Sequence, residues 1–241
     1  QVRGMKLGGV TALNGAQELA AMASGWGIGD TAVYPSVAEM ARHVDCVAIF
    51  APNYVRVPIM EEIVHAVKGG AELKGVICEK PLGRNVAEAR RLVELARSVN
   101  LHTAYFENQI FMKPVRTQMA QLEPVQRQMG PLSLSRSAEE HGGPHEGWFW
   151  DPTRQGGGVL CDMGCHSIAV GWHVLTPAGK GLTFLQPQEV TADIALLKWG
   201  QPLWREKLLR DRGVDYAKTP AEDFATGMVT YRNPETGQKV K

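Results

Sequence analysis

The sequence is short of cysteine and of net charge, and it contains no long apolar run. Four cysteines (Cys46, Cys78, Cys161 and Cys165) in 241 residues do not make a secreted disulfide framework, so a reducing, cytoplasmic setting is expected. Lysine and arginine number 26 against 25 acidic residues, a formal charge of +1. That balance argues against an electrostatic grip on nucleic acid or on an acidic membrane surface. No run approaches the roughly 18 apolar residues of a membrane span.

What remains is enough chain for one large domain or two small ones, at roughly 100–200 residues each. Its first hundred residues alternate short apolar runs with helical patterns. Residues 7–13, 46–50 (CVAIF), 75–79 (GVICE) and 102–106 read as strands, and 16–24, 58–68 and 88–99 as helices. Ser36 with Glu39, and Asn85 with Glu88, have the spacing of a capping box. Strands alternating with helices imply an α/β fold with a doubly wound parallel sheet. After about Asn108 the texture changes to a Gln-rich helix (114–129), a strand-like 132–138 and an apolar segment at 159–175. Strand patterns follow at 189–199 and 224–232. This predicts an α+β domain with an open, mostly antiparallel sheet over 109–241, behind an α/β domain over 1–108.

A parallel sheet of the dinucleotide-binding kind ordinarily opens with G-x-G-x-x-G at the first helix N-terminus, where backbone N–H groups cradle a pyrophosphate. Here Gly8 and Gly9 lie in or just before a strand, and Gly25, Gly27 and Gly29 have the wrong spacing. The chain opens at Gln1, and its last turn should lead into another strand. The expectation is a fragment lacking the first strand, the glycine loop and part of the C-terminal domain.

Lys80 directly follows a strand, in Glu79-Lys80-Pro81-Leu82. Ligands of open α/β sheets bind beyond the carboxyl ends of the strands. An ammonium held there can stabilise an alkoxide or lower a hydroxyl's pKa; a solvated lysine is the competing reading. Asp162 and His166 stand four apart in residues 156–166, GGGVLCDMGCH. On a helix they share a face, and a carboxylate beside an imidazole orients it and raises its basicity. The alternative is a hydrogen-bonded core histidine. A metal reading of His141, His145, Cys161, Asp162, Cys165 and His166 is disfavoured by spacing. Gly142-Gly143-Pro144 breaks any helix joining the two histidines, and the Cys-x3-Cys pair has no second pair. Trp148 and Trp150, near His141 and His145, could wall a sugar-sized pocket or serve as core.

Taken in order, residues 47–53 (VAIFAPN), Glu79-Lys80-Pro81-Leu82, 105–108 (YFEN) and 156–166 resemble the Gfo/Idh/MocA oxidoreductases, which include glucose–fructose oxidoreductase and inositol dehydrogenase. The resemblance implies a Rossmann-like NAD(P)-binding domain, then an α/β domain whose open sheet lines the substrate site and mediates oligomerisation. It implies hydride transfer between a nicotinamide and a carbinol carbon of a sugar or polyol. Lys80 matches the family's lysine beside the reacting hydroxyl, with a cis Lys80–Pro81 bond expected. Asp162 and His166 match its Asp and its acid–base His. Asn14, Ala51, Pro52, Asn53, Glu79, Lys80, Pro81 and Asn108 are the expected cofactor contacts, and His141, His145, Trp148 and Trp150 the expected substrate contacts.

Asn14 stands where the family reads the adenosine ribose. An acid there favours NAD and a basic residue NADP; with no arginine nearby, NAD is favoured. Ala169 replaces an acid common in the family, which weakens the transfer of substrate contacts. Other readings are an NAD-dependent glycosidase-like relative using transient oxidation, a non-catalytic sugar- or NAD(P)-sensing relative, and a metal-dependent hydrolase. The expected partners are a small-molecule sugar or polyol and, at full length, a second copy of the chain. Neither nucleic acid nor a membrane is expected, and the fragment alone is expected to bind cofactor poorly and to be inactive.

Overall fold

Short, largely apolar runs make the strands of the first half of the chain in the computed structural model, which describes residues 3–241. β1 (Gly9–Val10), α1 (Ala16–Gly25), β2 (Ala32–Val33), α2 (Val37–Met40), β3 (Cys46–Ile49), α3 (Arg56–Lys68), β4 (Gly75–Glu79), α4 (Val86–Ser98) and β5 (His102–Phe106) follow in order. β1 pairs with β2 in parallel, and β3, β4 and β5 form a parallel sheet in that order. Val47 and Ile49, alternate residues of β3, turn inward. They share a core with Val76 and Cys78 of β4, Ile63 of α3, and Leu92 and Leu95 of α4.

Local sequence sets the ends of these elements. Ser36 Oγ accepts from Glu39 N at 3.1 Å and Asn85 Oδ1 from Glu88 N at 3.0 Å, the N-cap bonds that the spacing predicts. α3 stops where Gly70 takes φ +95°, a conformation that costs glycine nothing. Residues 7–13 yield a shorter strand than expected. Its partner β2 is two residues long and runs toward Pro35, which has no N–H to extend a ladder.

The chain divides into two units, Gln1–Phe106 and Glu107–Lys241. The second contains α5 (Lys113–Met129), α6 (Pro152–Gln155), a π-helical turn at Leu160–Gly164, α7 (Cys165–Leu175), β6 (Gln186–Ala195), α8 (Pro202–Arg212), β7 (Phe224–Arg232) and β8 (Lys239–Val240). β6, β7 and β8 form an antiparallel sheet in that order. The sequence therefore folds as expected into a parallel α/β part followed by a part with an antiparallel sheet.

Two details differ. Residues 132–138 stay irregular. Ser135 N donates to Lys241 O at 2.8 Å and Lys241 N to Ser133 O at 2.9 Å, too few bonds for a ladder. α8 was not anticipated, although Pro202 at its start and Gly213 at φ +67° just past its end are ordinary helix signals. Leu175, Leu185, Tyr231 and Val240 form one core of this unit, and Trp150, Leu208 and Tyr216 another. Among the described residues no helix is long and apolar enough to cross a membrane.

Candidate active site

In the first unit, β3 and β4 are neighbours, so the segments leaving their carboxyl ends are adjacent. After β3, Ala51 and Pro52 are half-buried, and Asn53 is buried at the start of a 3-10 turn, Asn53–Val55, that leads into α3. After β4 come half-buried Lys80 and Pro81, joined by a cis peptide bond. Lys80 N donates to Glu79 Oε2 at 2.8 Å. Arg56, the first residue of α3, is buried, and its guanidinium reaches the carbonyls of both segments. Asn14 lies exposed in the turn between β1 and α1. These are the strand ends where open parallel sheets take a nucleotide. The Lys80 ammonium and the Asn14 and Asn53 amides are donors suited to the hydroxyl and carboxamide oxygens of a nicotinamide nucleotide, so the residues fit one. Asn108, expected with this set, falls in the second unit, exposed at the start of a 3-10 turn.

The second unit gathers the carboxylates and imidazoles. His166 is buried, and its Nδ1 lies 2.6 Å from Oε1 of buried Glu107. The same oxygen accepts from Gln109 N at 3.1 Å. The orienting role expected of Asp162 therefore falls at Nδ1 to Glu107. The π-helical turn at Leu160–Gly164 breaks the α-helical spacing on which the expectation of a shared 162/166 stripe rested. Asp162 Oδ2 lies 3.8 Å from His141 Nε2. Gly143 N donates to His141 Nδ1 at 2.9 Å, so the neutral ring carries its proton on Nε2, facing that carboxylate. The unit thus holds two carboxylate–imidazole pairs.

Glu222 fixes the start of the helical segment that carries Asp162 and His166. Its Oε1 accepts from Gly158 N at 2.9 Å and Leu160 N at 3.2 Å, and its carbonyl accepts from Val159 N at 2.9 Å. A carboxylate on the first free N–H groups of a helix caps it and matches its dipole. The backbone approach requires glycine, because a Cβ at Gly158 would lie 2.0 Å from Glu222 O.

Of the expected substrate contacts, His141 and His145 are exposed, and Trp148 is half-buried, stacked on Phe149 with centroids 3.8 Å apart. Trp150 is a correction: it is buried core, edge-on to Trp199 at 5.1 Å and Tyr216 at 6.0 Å. Glu107, Cys165 and His166 bring metal-ligand atoms within 4.8 Å of one another. Two ligands on one tetrahedral zinc would stand about 3.3 Å apart, given bonds of about 2.0 Å. The 2.6 Å between His166 and Glu107 is a hydrogen bond's length. Sequence reasoning missed both Glu107 and Glu222. The signals for Glu107 were its place directly after a strand and within the 105–108 (YFEN) motif.

A parallel α/β sheet with ligand-type residues at its carboxyl strand ends, followed by an antiparallel-sheet unit, defines a Rossmann-like protein with a second, C-terminal domain. Residues 3–105 match the oxidoreductase family with an NAD-binding Rossmann fold, and residues 126–239 match the GFO/IDH/MocA C-terminal domain; the chain belongs to the Gfo/Idh/MocA family. It is similar to the D-glucoside 3-dehydrogenase of Escherichia coli (strain K12), with 25% identity over 202 residues covering 83% of this chain and 52% of that protein. Its fold is similar to GenD2 from gentamicin A biosynthesis in complex with NAD, with a TM-score of 0.67, 22% identity and coverage of 97% of this chain and 56% of that one. A levoglucosan dehydrogenase in complex with NADH gives a TM-score of 0.61 at 18% identity, with coverage of 97% and 56%. The chain spans about half the length of the relatives it matches.

Proposed function

We propose that the protein is a nicotinamide-dependent dehydrogenase that oxidises a secondary hydroxyl of a pyranoside, with NAD as the favoured cofactor. The observation that carries this reading is buried His166, whose Nδ1 is taken by Glu107 at 2.6 Å. Its Nε2 is thereby left as the nitrogen that exchanges a proton with substrate. The names of the E. coli D-glucoside 3-dehydrogenase and of the levoglucosan dehydrogenase support a sugar as substrate.

The cofactor, when bound, supplies the hydride acceptor. The loop after β3 and the turn holding Asn14 would hold it, and Lys80 stabilises the alkoxide that develops as the hydroxyl gives up its proton, ahead of hydride loss from the carbinol carbon. His166 Nε2 takes the hydroxyl proton, and the Glu107 carboxylate stabilises the resulting imidazolium through Nδ1. Asp162 and His141, held as a second pair, orient sugar hydroxyls. The balance is a secondary alcohol and the oxidised nicotinamide going to a ketone, the reduced nicotinamide and one proton. Self-association at full length is supported by β6, whose residues are exposed along almost its whole length.

The test is a screen of glucosides, levoglucosan and inositols with NAD and NADP, on protein expressed from the complete reading frame. Turnover is expected with a glucoside. His166→Ala should lower kcat by roughly 10²–10⁴-fold, the usual range for a general acid–base, and Lys80→Met should also depress it. Wild-type turnover in both variants would overturn the assignment.

A further inference from the structure

Arg56 is an unusual residue to find buried. Only 3% of it is exposed, and a guanidinium loses heavily on leaving water unless its donors are satisfied. Its Nε donates to Ala51 O at 3.0 Å, Nη1 to Glu79 O at 2.8 Å and to Pro81 O, and Nη2 to Lys80 O at 3.2 Å. One planar fork therefore collects carbonyls from the segments that leave β3 and β4. The peptide groups on either side of the Lys80 Cα are both held, since Glu79 Oε2 takes the Lys80 N–H at 2.8 Å while Arg56 takes the Lys80 carbonyl. With both fixed, the direction in which the Lys80 Cα–Cβ bond leaves the backbone is fixed as well.

We propose that Arg56 is the positioning residue of Lys80: its buried guanidinium locks the backbone at the end of β4 onto the loop after β3, so that the lysine side chain leaves at one fixed angle. This rests on the reading of Lys80 as the group that stabilises the alkoxide. A role in folding alone would need no link to Lys80, and the two differ in what a conservative change does. Lysine keeps the charge but replaces five donors in a rigid plane by three on a flexible stem, so it cannot bridge the same carbonyls.

The experiment uses Arg56→Lys, with Arg56→Gln as the second variant, in protein expressed from the complete reading frame. Turnover is measured with NAD and the glucoside oxidised by the wild type. Separately, surface amines are reductively methylated with ¹³C-formaldehyde, and the Lys80 resonance is assigned by its loss in Lys80→Met. Arg56→Lys should lower kcat about 10–100-fold, the cost of a misplacement of about an ångström, with KM for the sugar within about threefold. The Lys80 resonance should move or broaden. In the Lys80→Met background, Arg56→Lys should cost nothing further, because it acts through the missing side chain.

An unchanged Lys80 resonance in both variants would overturn the proposal, and so would full additivity in the double variant. Unfolding of both single variants would reduce Arg56 to a folding anchor and overturn it equally. If Lys80→Met itself kept wild-type turnover, the catalytic reading of Lys80 would fail, while the resonance would still decide whether Arg56 positions it.

Discussion

Replacing Glu107 by glutamine keeps the side chain's shape, removes its charge and puts an amide NH2 in place of the buried Oε2. Oε1 of Glu107 lies 2.6 Å from His166 Nδ1, and the two side chains are 8% and 7% exposed, so water does little to screen the contact. Hydrogen bonds to charged groups contribute about 1.5–3 kcal/mol. At about 1.4 kcal/mol per tenfold in rate, losing that stabilisation of the imidazolium should lower kcat by roughly 10–150-fold. Glutamine still offers an oxygen to Gln109 N, the other partner of Glu107 at 3.1 Å, so the fold should hold. Glu107→Ala would leave the buried Nδ1 without its partner and should cost both turnover and melting temperature. Steady-state rates with NAD and a glucoside, paired with thermal melts, separate these effects. Unchanged kcat in Glu107→Gln would refute the reasoning, as would a loss of activity fully matched by a loss of folded protein.

Two further outcomes test the packing around the site. Gly158→Ala drives a Cβ to 2.0 Å from the Glu222 backbone oxygen, whereas Gly164→Ala meets only the mobile end of Leu160 at 2.7 Å. The first should cost about 1–3 kcal/mol, or roughly 2–4 °C of melting temperature for each kcal/mol; the second should cost less, and equal melts would contradict the close approach. Burial pushes the His173 imidazole below its usual pKa. The unfolded chain therefore takes up this proton first, so the associated stability is present above about pH 6.5 and is lost as pH falls through the folded value. His173→Gln should flatten the melting temperature between about pH 7 and pH 5; an undiminished slope would assign it to other groups.

The fold was readable where local and tertiary signals agree. The short apolar runs at 46–49 and 75–79 are strands of the parallel sheet, and the spacing of Asn85 and Glu88 gives the cap its bond. It was less readable where a partner far along the chain decides the outcome. Residues 7–13 look like a long strand, but the pairing is limited by a two-residue neighbour. Residues 132–138 look like a strand whose pairing reduces to two bonds with Lys241.

The site divides in the same way. Lys80, Asp162 and His166 stand out through motif residues close in sequence. Glu107 lies 59 residues before His166, and Glu222 lies 64 residues after Gly158. No spacing rule connects positions so far apart; only the folded chain brings them together. Trp150 shows the converse, because an aromatic residue beside histidines suits a pocket wall and a core equally, and burial selects the core.

The central claim is hydride transfer from a sugar carbinol carbon to a nicotinamide, and isotope transfer tests it most directly. Protein from the complete reading frame is supplied with NAD and a glucoside bearing deuterium at the carbon to be oxidised, and the recovered cofactor is analysed. The account predicts deuterium at C4 of the reduced nicotinamide, with a slower turnover than for the unlabelled sugar. Product formation with the label released to water, or with no reduced nicotinamide at any stage, would contradict it.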